Sequence, residues 1–129
     1  MKRAGILNAE LSRRLALLGH TDTVVVADCG LPQPPGVPVV DLAVVFGVPT
    51  FEQVLRALAA ELVVESTVVA AEAARRNPDV VRLVESLFGG AERVAHEQFK
   101  QLTAGARLLV RTGEASPYAN VVLRCGVPF

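Results

Sequence analysis

His20-Thr21-Asp22-Thr23-Val24-Val25-Val26-Ala27-Asp28 is the stretch that decides the fold. Its centre, Thr23 to Ala27, is β-branched and apolar with no polar alternation, and Asp28 and the turn-rich Gly30 to Pro38 segment bound it. Such a run predicts a strand buried on both faces, as in a parallel sheet covered by helices. Asp28 then stands at the strand's C-terminal edge.

Upstream, Leu7, Leu11, Leu15 and Leu18 recur at helical spacing, with Asn8 as the cap and Gly19 as the stop. His20 is therefore expected at the C-terminal end of a first helix. Downstream, Val39 to Phe46 predicts a second strand, and Thr50 with Gln53 forms a capping box for a helix carrying Val54, Leu55, Leu58 and Leu62. A strand over about Val63 to Ala70 follows. Asn77-Pro78 supplies a cap and a first-turn proline for a helix running through Leu87, which Gly89-Gly90 ends. His96 opens a short polar helix, Ala106 to Arg111 predicts a strand, Gly113 to Pro117 a turn, and Asn120 to Arg124 a last strand. Repeats and linkers are absent. Alternating strands and helices predict an α/β fold, a single compact domain over residues 1–129 with a largely parallel central sheet flanked by helices. In such folds ligands bind beyond the carboxyl ends of the strands.

Composition narrows the function classes. The 129 residues carry 13 basic and 13 acidic side chains, so no charge footprint points to nucleic acid or an anionic membrane. Aromatic residues make up 5%, too few for base-stacking platforms. The longest apolar stretch, Leu62 to Ala71, is interrupted by Glu65 and Ser66 and falls short of the roughly 20 residues of a membrane span. The Met1-Lys2-Arg3 start leads into no signal-peptide core, and Cys29 and Cys125 are isolated, as expected of free thiols in the cytoplasm. Hydrophobic residues reach 51% and mean hydropathy is +0.40. A chain this small cannot hide that much apolar surface alone, which predicts a homo-oligomer.

The polar residues form a split set in this apolar background: His20, Asp28, His96, and Tyr118-Ala119-Asn120. Each has an ordinary reading by itself. His20 can complement a helix dipole, Asp28 can form a turn, His96 can open a helix, and Tyr118 and Asn120 can shape the turn before the last strand. Glu61, Glu65 and Glu72 read as solvated faces or interface salt bridges. No phosphate-binding glycine loop and no metal-ligand spacing occurs, so neither a nucleotide nor a metal is expected and no cofactor is called for. Cys29 together with a histidine suggests a thiol hydrolase only weakly, because a Gly-Pro turn beside Asp28 gives no clear thiolate activation.

Five stretches in order, Gly19 to Thr23, Asp28 to Pro32, Gly47 to Phe51, His96 to Lys100 and Gly113 to Asn120, resemble the ribose pyranase and fucose mutarotase superfamily. The resemblance extends from about Ala4 to Phe129 and is strongest to the ribose branch. It implies interconversion of the pyranose and furanose forms of free D-ribose, without a cofactor, in a ring-shaped homo-oligomer such as a decamer or octamer. It also implies that His20 is the catalytic proton donor and that Asp28, His96, Tyr118, Ala119 and Asn120 bind the sugar. Two other functions compete: a fucose mutarotase-like anomer exchange, and a noncatalytic sugar-binding subunit. The family resemblance and the wide separation of His20 and Asp28 from His96 and Asn120 suggest a site shared between subunits.

Overall fold

The computed structural model describes residues 1–129. Its central strand is β1 (Thr23–Ala27). Val24, Val25 and Val26 are wholly buried, as a run without alternation requires. β1 lies inside a six-stranded sheet with β2 (Val39–Asp41), β3 (Val64–Ala70), β4 (Glu92–Val94), β5 (Leu108–Arg111) and β6 (Val121–Cys125), in the order β2-β5-β1-β6-β3-β4. β5 runs parallel to β1 and β2, and β4 runs parallel to β3. β6 alone is reversed, antiparallel to both β1 and β3. The segment from Thr112 to Asn120 contains no crossover helix, so the chain re-enters the sheet from the edge it has just left, and an antiparallel strand results. The sheet is thus largely parallel, as expected.

Successive β1 side chains pass to opposite faces. Val24 and Val26 join Leu108, Val110, Val121 and Leu123 in the larger core. That face is covered by Leu11 and Leu15 of α1 (Ala9–Ala16), Leu55 and Leu58 of α2 (Phe51–Ala59), and Val80 and Val84 of α4 (Pro78–Phe88). Val25 and Ala27 join Leu109, Val122 and Phe99 in the smaller core. Phe99 comes from α5 (His96–Thr103) and is fully buried; burying a side chain of that kind contributes roughly 1.5–3 kcal/mol.

Local signals act where the residues place them. Asn8 Oδ1 accepts from the Leu11 amide at 2.9 Å, and Thr50 with Gln53 forms the reciprocal capping box, each such cap being worth about 1 kcal/mol. Other expectations shift. α1 ends at Ala16 with Leu17 as its cap, so Gly19 is not the stop and His20 lies beyond the helix in a separate turn, away from the helix dipole. The second strand keeps only Val39–Asp41, because Asp41 Oδ1 captures the Ala43 amide and the chain folds into a small loop bridged at Val45 and Val48. Gly113 packs so closely on this loop that a Cβ there would collide with the Val48 carbonyl. Asn77 makes no side-chain cap of α4; Pro78 still opens that helix. β4 and the four-residue helix α3 (Ala73–Arg76) are elements the sequence reading did not contain.

Candidate active site

One edge of the sheet gathers five of the six candidate residues. Asp28 follows the C-terminal end of β1, His96 lies just past β4, and Tyr118, Ala119 and Asn120 precede β6, whose reversed direction brings its start to this edge. Asp28 and Asn120 bind each other twice. The Asp28 amide donates to Asn120 Oδ1 and Asn120 Nδ2 donates to Asp28 Oδ2, both at 2.8 Å. Gly30 N–H donates to the other carboxylate oxygen at 2.9 Å, so Asp28 does form a turn while holding a fixed orientation. Asn120 and Ala119 are fully buried. Asn120 therefore acts on Asp28, and Ala119 acts through its backbone and its small size.

The Tyr118 ring meets the His96 ring edge-on, with centroids 5.0 Å apart and planes at 85°, while Phe99 stacks on His96 from below at 6.3 Å. His96 Nδ1 is buried with no hydrogen-bond partner. Its backbone amide donates to both oxygens of Glu72, at 2.9 and 3.2 Å. Glu72 thereby caps α5, and its own amide followed by that of His96 holds its carboxyl below the usual range. Tyr118 has φ of +57°, a left-handed conformation uncommon for an aromatic residue and characteristic of constrained functional loops.

A second set of polar residues holds that loop. Asn77 Nδ2 donates to Ser116 Oγ at 2.9 Å and to the Pro117 carbonyl at 2.8 Å. Ser116 donates through its amide and hydroxyl to Glu114 Oε1, and the Phe51 amide donates to Glu114 Oε2. Phe51, Glu114 and Ser116 lie in the stretches that carry the resemblance, but none of the four was assigned to the site. Asn77-Pro78 read as a cap, and only the fold reveals that the Asn77 amide is engaged elsewhere.

Burial tends to raise the Glu114 carboxyl, but the Phe51 amide, the Ser116 hydroxyl and amide, and the Ala115 amide outweigh it and hold the group below its usual range. Because the folded value lies below the unfolded one, this stabilisation is complete above the ordinary glutamate pKa and is lost as pH falls through the lowered value. Thermal melts should therefore show Glu114→Gln least stable relative to the parent near neutrality, with the gap narrowing in acid. A gap that stays constant with pH would show that Glu114 is not the titrating group.

Cys29 stands beside Asp28, with its amide donating to the Glu114 carbonyl at 2.9 Å and its carbonyl accepting from Arg111 Nε and Nη2. The backbone carries these contacts. Cys29→Ser is expected to keep substantial activity, and abolition in a folded variant would revive thiol chemistry.

His20 is not at this edge. Thr21 N–H donates to the Cys125 carbonyl at the far end of β6, whereas Asp28 bonds to Asn120 at its start. The five residues of β1 lie between them, about 17 Å at roughly 3.3 Å per residue. His20 borders a different cleft of about 410 Å³, lined by Glu61, Val63, Cys125 and Phe129 among others, and by none of the Asp28 group. Its ring is half exposed, with Nε2 3.1 Å from Glu65 Oε2.

The fold and these residues define a compact α/β protein with a cluster of polar side chains at one edge of its sheet. The chain belongs to the RbsD / FucU transport protein family, whose model matches residues 1–128. The chain is 55% identical to the D-ribose pyranase of Streptomyces coelicolor and 55% identical to D-ribose pyranase 1 of Rubrobacter xylanophilus, each over 129 residues and 100% of both chains. Among solved structures, that of Bacillus subtilis RbsD complexed with D-ribose superposes with a TM-score of 0.95, at 46% identity and with full coverage of both chains. The fucose mutarotase of Streptococcus pneumoniae, solved with L-fucose, shares the fold with a TM-score of 0.82 at 19% identity, over 100% of both chains.

Proposed function

We propose that this protein is a D-ribose pyranase, an isomerase interconverting the pyranose and furanose forms of free D-ribose. The observation that carries the reading is the full-length similarity to proteins of that name, joined to an edge site whose side chains suit a polyhydroxylated ligand. Opening the pyranose needs a proton at the ring oxygen and removal of one from the anomeric hydroxyl; the C1–O bond then breaks and C1 becomes an aldehyde. After rotation, a different hydroxyl attacks C1 and loses its proton. Only protons and one C–O bond move.

His20 serves as the proton donor, since an imidazole has two ring nitrogens, one of which can give up and take back a proton while the other is held by a hydrogen bond. Asp28, held rigid by Asn120, accepts hydrogen bonds from sugar hydroxyls. Tyr118 offers a ring face and a hydroxyl, and His96 a ring edge. The proton of the anomeric hydroxyl passes to water or to the Asp28 carboxylate and returns on closure.

General acid–base catalysis requires His20 within hydrogen-bond reach of the sugar, and one chain separates it from Asp28 by the length of β1, about 17 Å. The working site therefore takes His20 from one subunit and the Asp28 group from another. The assembly is a closed, ring-shaped homo-oligomer, for example an octamer or decamer, and its setting is the cytoplasm. Val44, Val45, Phe46 and Val48 project from the loop after β2 with half or more of their surface exposed, an apolar cluster suited to burial between subunits. No helix is long and apolar enough to cross a membrane.

Saturation-transfer NMR on free ribose tests the function. Catalytic protein is expected to accelerate pyranose–furanose exchange, undiminished by chelator, and to do so on ribose more than on L-fucose. Ribose binding without acceleration would favour a noncatalytic subunit, and loss in chelator restored by metal would overturn cofactor-free chemistry.

A further inference from the structure

Glu65 of β3 faces the His20 ring. Val64 of β3 pairs with Cys125 and Ser66 pairs with Arg124, so Glu65 is an extra residue in the ladder, a β-bulge. Glu65 and Ser66 are exposed in succession, which regular strand alternation does not produce. Bulges re-aim side chains, and this one directs the Glu65 carboxylate at the His20 turn. Oε2 lies 3.1 Å from His20 Nε2, and Oε1 lies 2.8 Å from Arg124 Nε.

The turn is equally constrained. Gly19 N–H donates to Asp22 Oδ2 at 2.8 Å, while the Thr21 amide donates to the Cys125 carbonyl and the Cys125 amide to the Asp22 carbonyl. Thr21 adopts φ of +70°, a costly conformation for a β-branched residue. A bulge, a strained turn and an arginine-bound carboxylate thus converge on one imidazole. Stability does not account for them, because the His20 and Glu65 side chains are 54% and 37% exposed and exposed ion pairs stabilise little.

We propose that Glu65 is the positioning residue for His20, accepting the Nε2 proton so that Nδ1 is the atom that exchanges protons with the sugar. Arg124 fixes the carboxylate. The proposal rests on the reading of His20 as the proton donor. In the doubly protonated ring, Nδ1 gives its proton to the departing ring oxygen while Nε2–H stays on Glu65. The neutral ring then takes back a proton at Nδ1 from the hydroxyl that closes the new ring, and the cycle balances. The hydrogen bond at one nitrogen decides the role of the other.

The test compares Glu65→Ala, Glu65→Gln and His20→Ala, alone and combined, by ribose exchange kinetics and by ¹⁵N spectra of the His20 ring at a pH where it is neutral. Glu65→Ala is expected to lower kcat about tenfold or more with KM little changed, the size of effect known for the partners that orient metal-binding histidines. Its ring spectrum should change from a single Nε2–H tautomer to a mixture. Glu65→Gln, which keeps an acceptor oxygen, should recover part of both. Adding Glu65→Ala to His20→Ala should cost nothing more. If His20→Ala abolishes exchange while Glu65→Ala keeps full kcat and one tautomer, the positioning role is overturned and the donor reading stands. If His20→Ala itself is active, the donor reading fails first.

Discussion

His20→Ala is expected to lose ribose ring exchange by about 10²-fold or more, the scale of a general acid–base contribution, while the protein stays folded. Retention of the fold follows from position. The ring is half exposed, lies outside both cores, and makes one side-chain bond, to Glu65. The turn that carries it is held by backbone and Asp22 contacts that survive truncation. Exchange rates measured by saturation transfer, beside a thermal melt, check the prediction. A folded variant with normal exchange would move the acid role elsewhere, with His96 the next candidate.

Asn120→Ala is expected to remove activity and stability together. Its side chain is fully buried and makes two 2.8 Å bonds to Asp28. Truncation removes the acceptor of the part-buried Asp28 amide and leaves Gly30 N–H as the carboxylate's remaining partner, and a donor left unsatisfied costs up to about 1–3 kcal/mol. The released carboxylate then samples orientations in which it no longer meets the sugar hydroxyls, so ribose affinity should fall along with turnover. Isothermal titration with ribose and a denaturant midpoint measure the two effects. Unchanged ribose affinity in a folded Asn120→Ala protein would show that Asp28 does not need its partner.

Much of the fold was legible because its signals are local. The valine run of β1, the Thr50–Gln53 capping box and the Asn8 cap each act within a few residues and appear where the sequence places them. Glu92-Arg93-Val94 did not read as a strand, because three residues with two charges carry no periodicity; pairing with β3 alone makes them β4. Val39 to Phe46 read as one strand because apolar content cannot distinguish a ladder from a loop whose valines and phenylalanine face outward.

The candidate residues stood out by type, but their arrangement in space did not. His20 and Asp28 are eight positions apart, yet they flank β1, and an extended strand carries its ends to opposite edges of the sheet. Conversely, Asp28 and Asn120 are far apart in sequence and adjacent in space, because β6 runs antiparallel to β1. Glu65 read as a solvated or interface charge, since a bulge is a property of register between two strands and leaves no trace in either one alone.

If ring exchange takes place at a site made by two chains, inactive His20→Ala and Asn120→Ala chains, dissociated and reassembled together in equal amounts, should complement each other. In a closed symmetric oligomer with random neighbours, about a quarter of the sites would join an intact His20 to an intact Asp28–Asn120 pair. Ribose pyranose–furanose exchange should then return to about that fraction of the parent rate. Mixed oligomers, confirmed by mass and as inactive as either parent, would contradict the shared site.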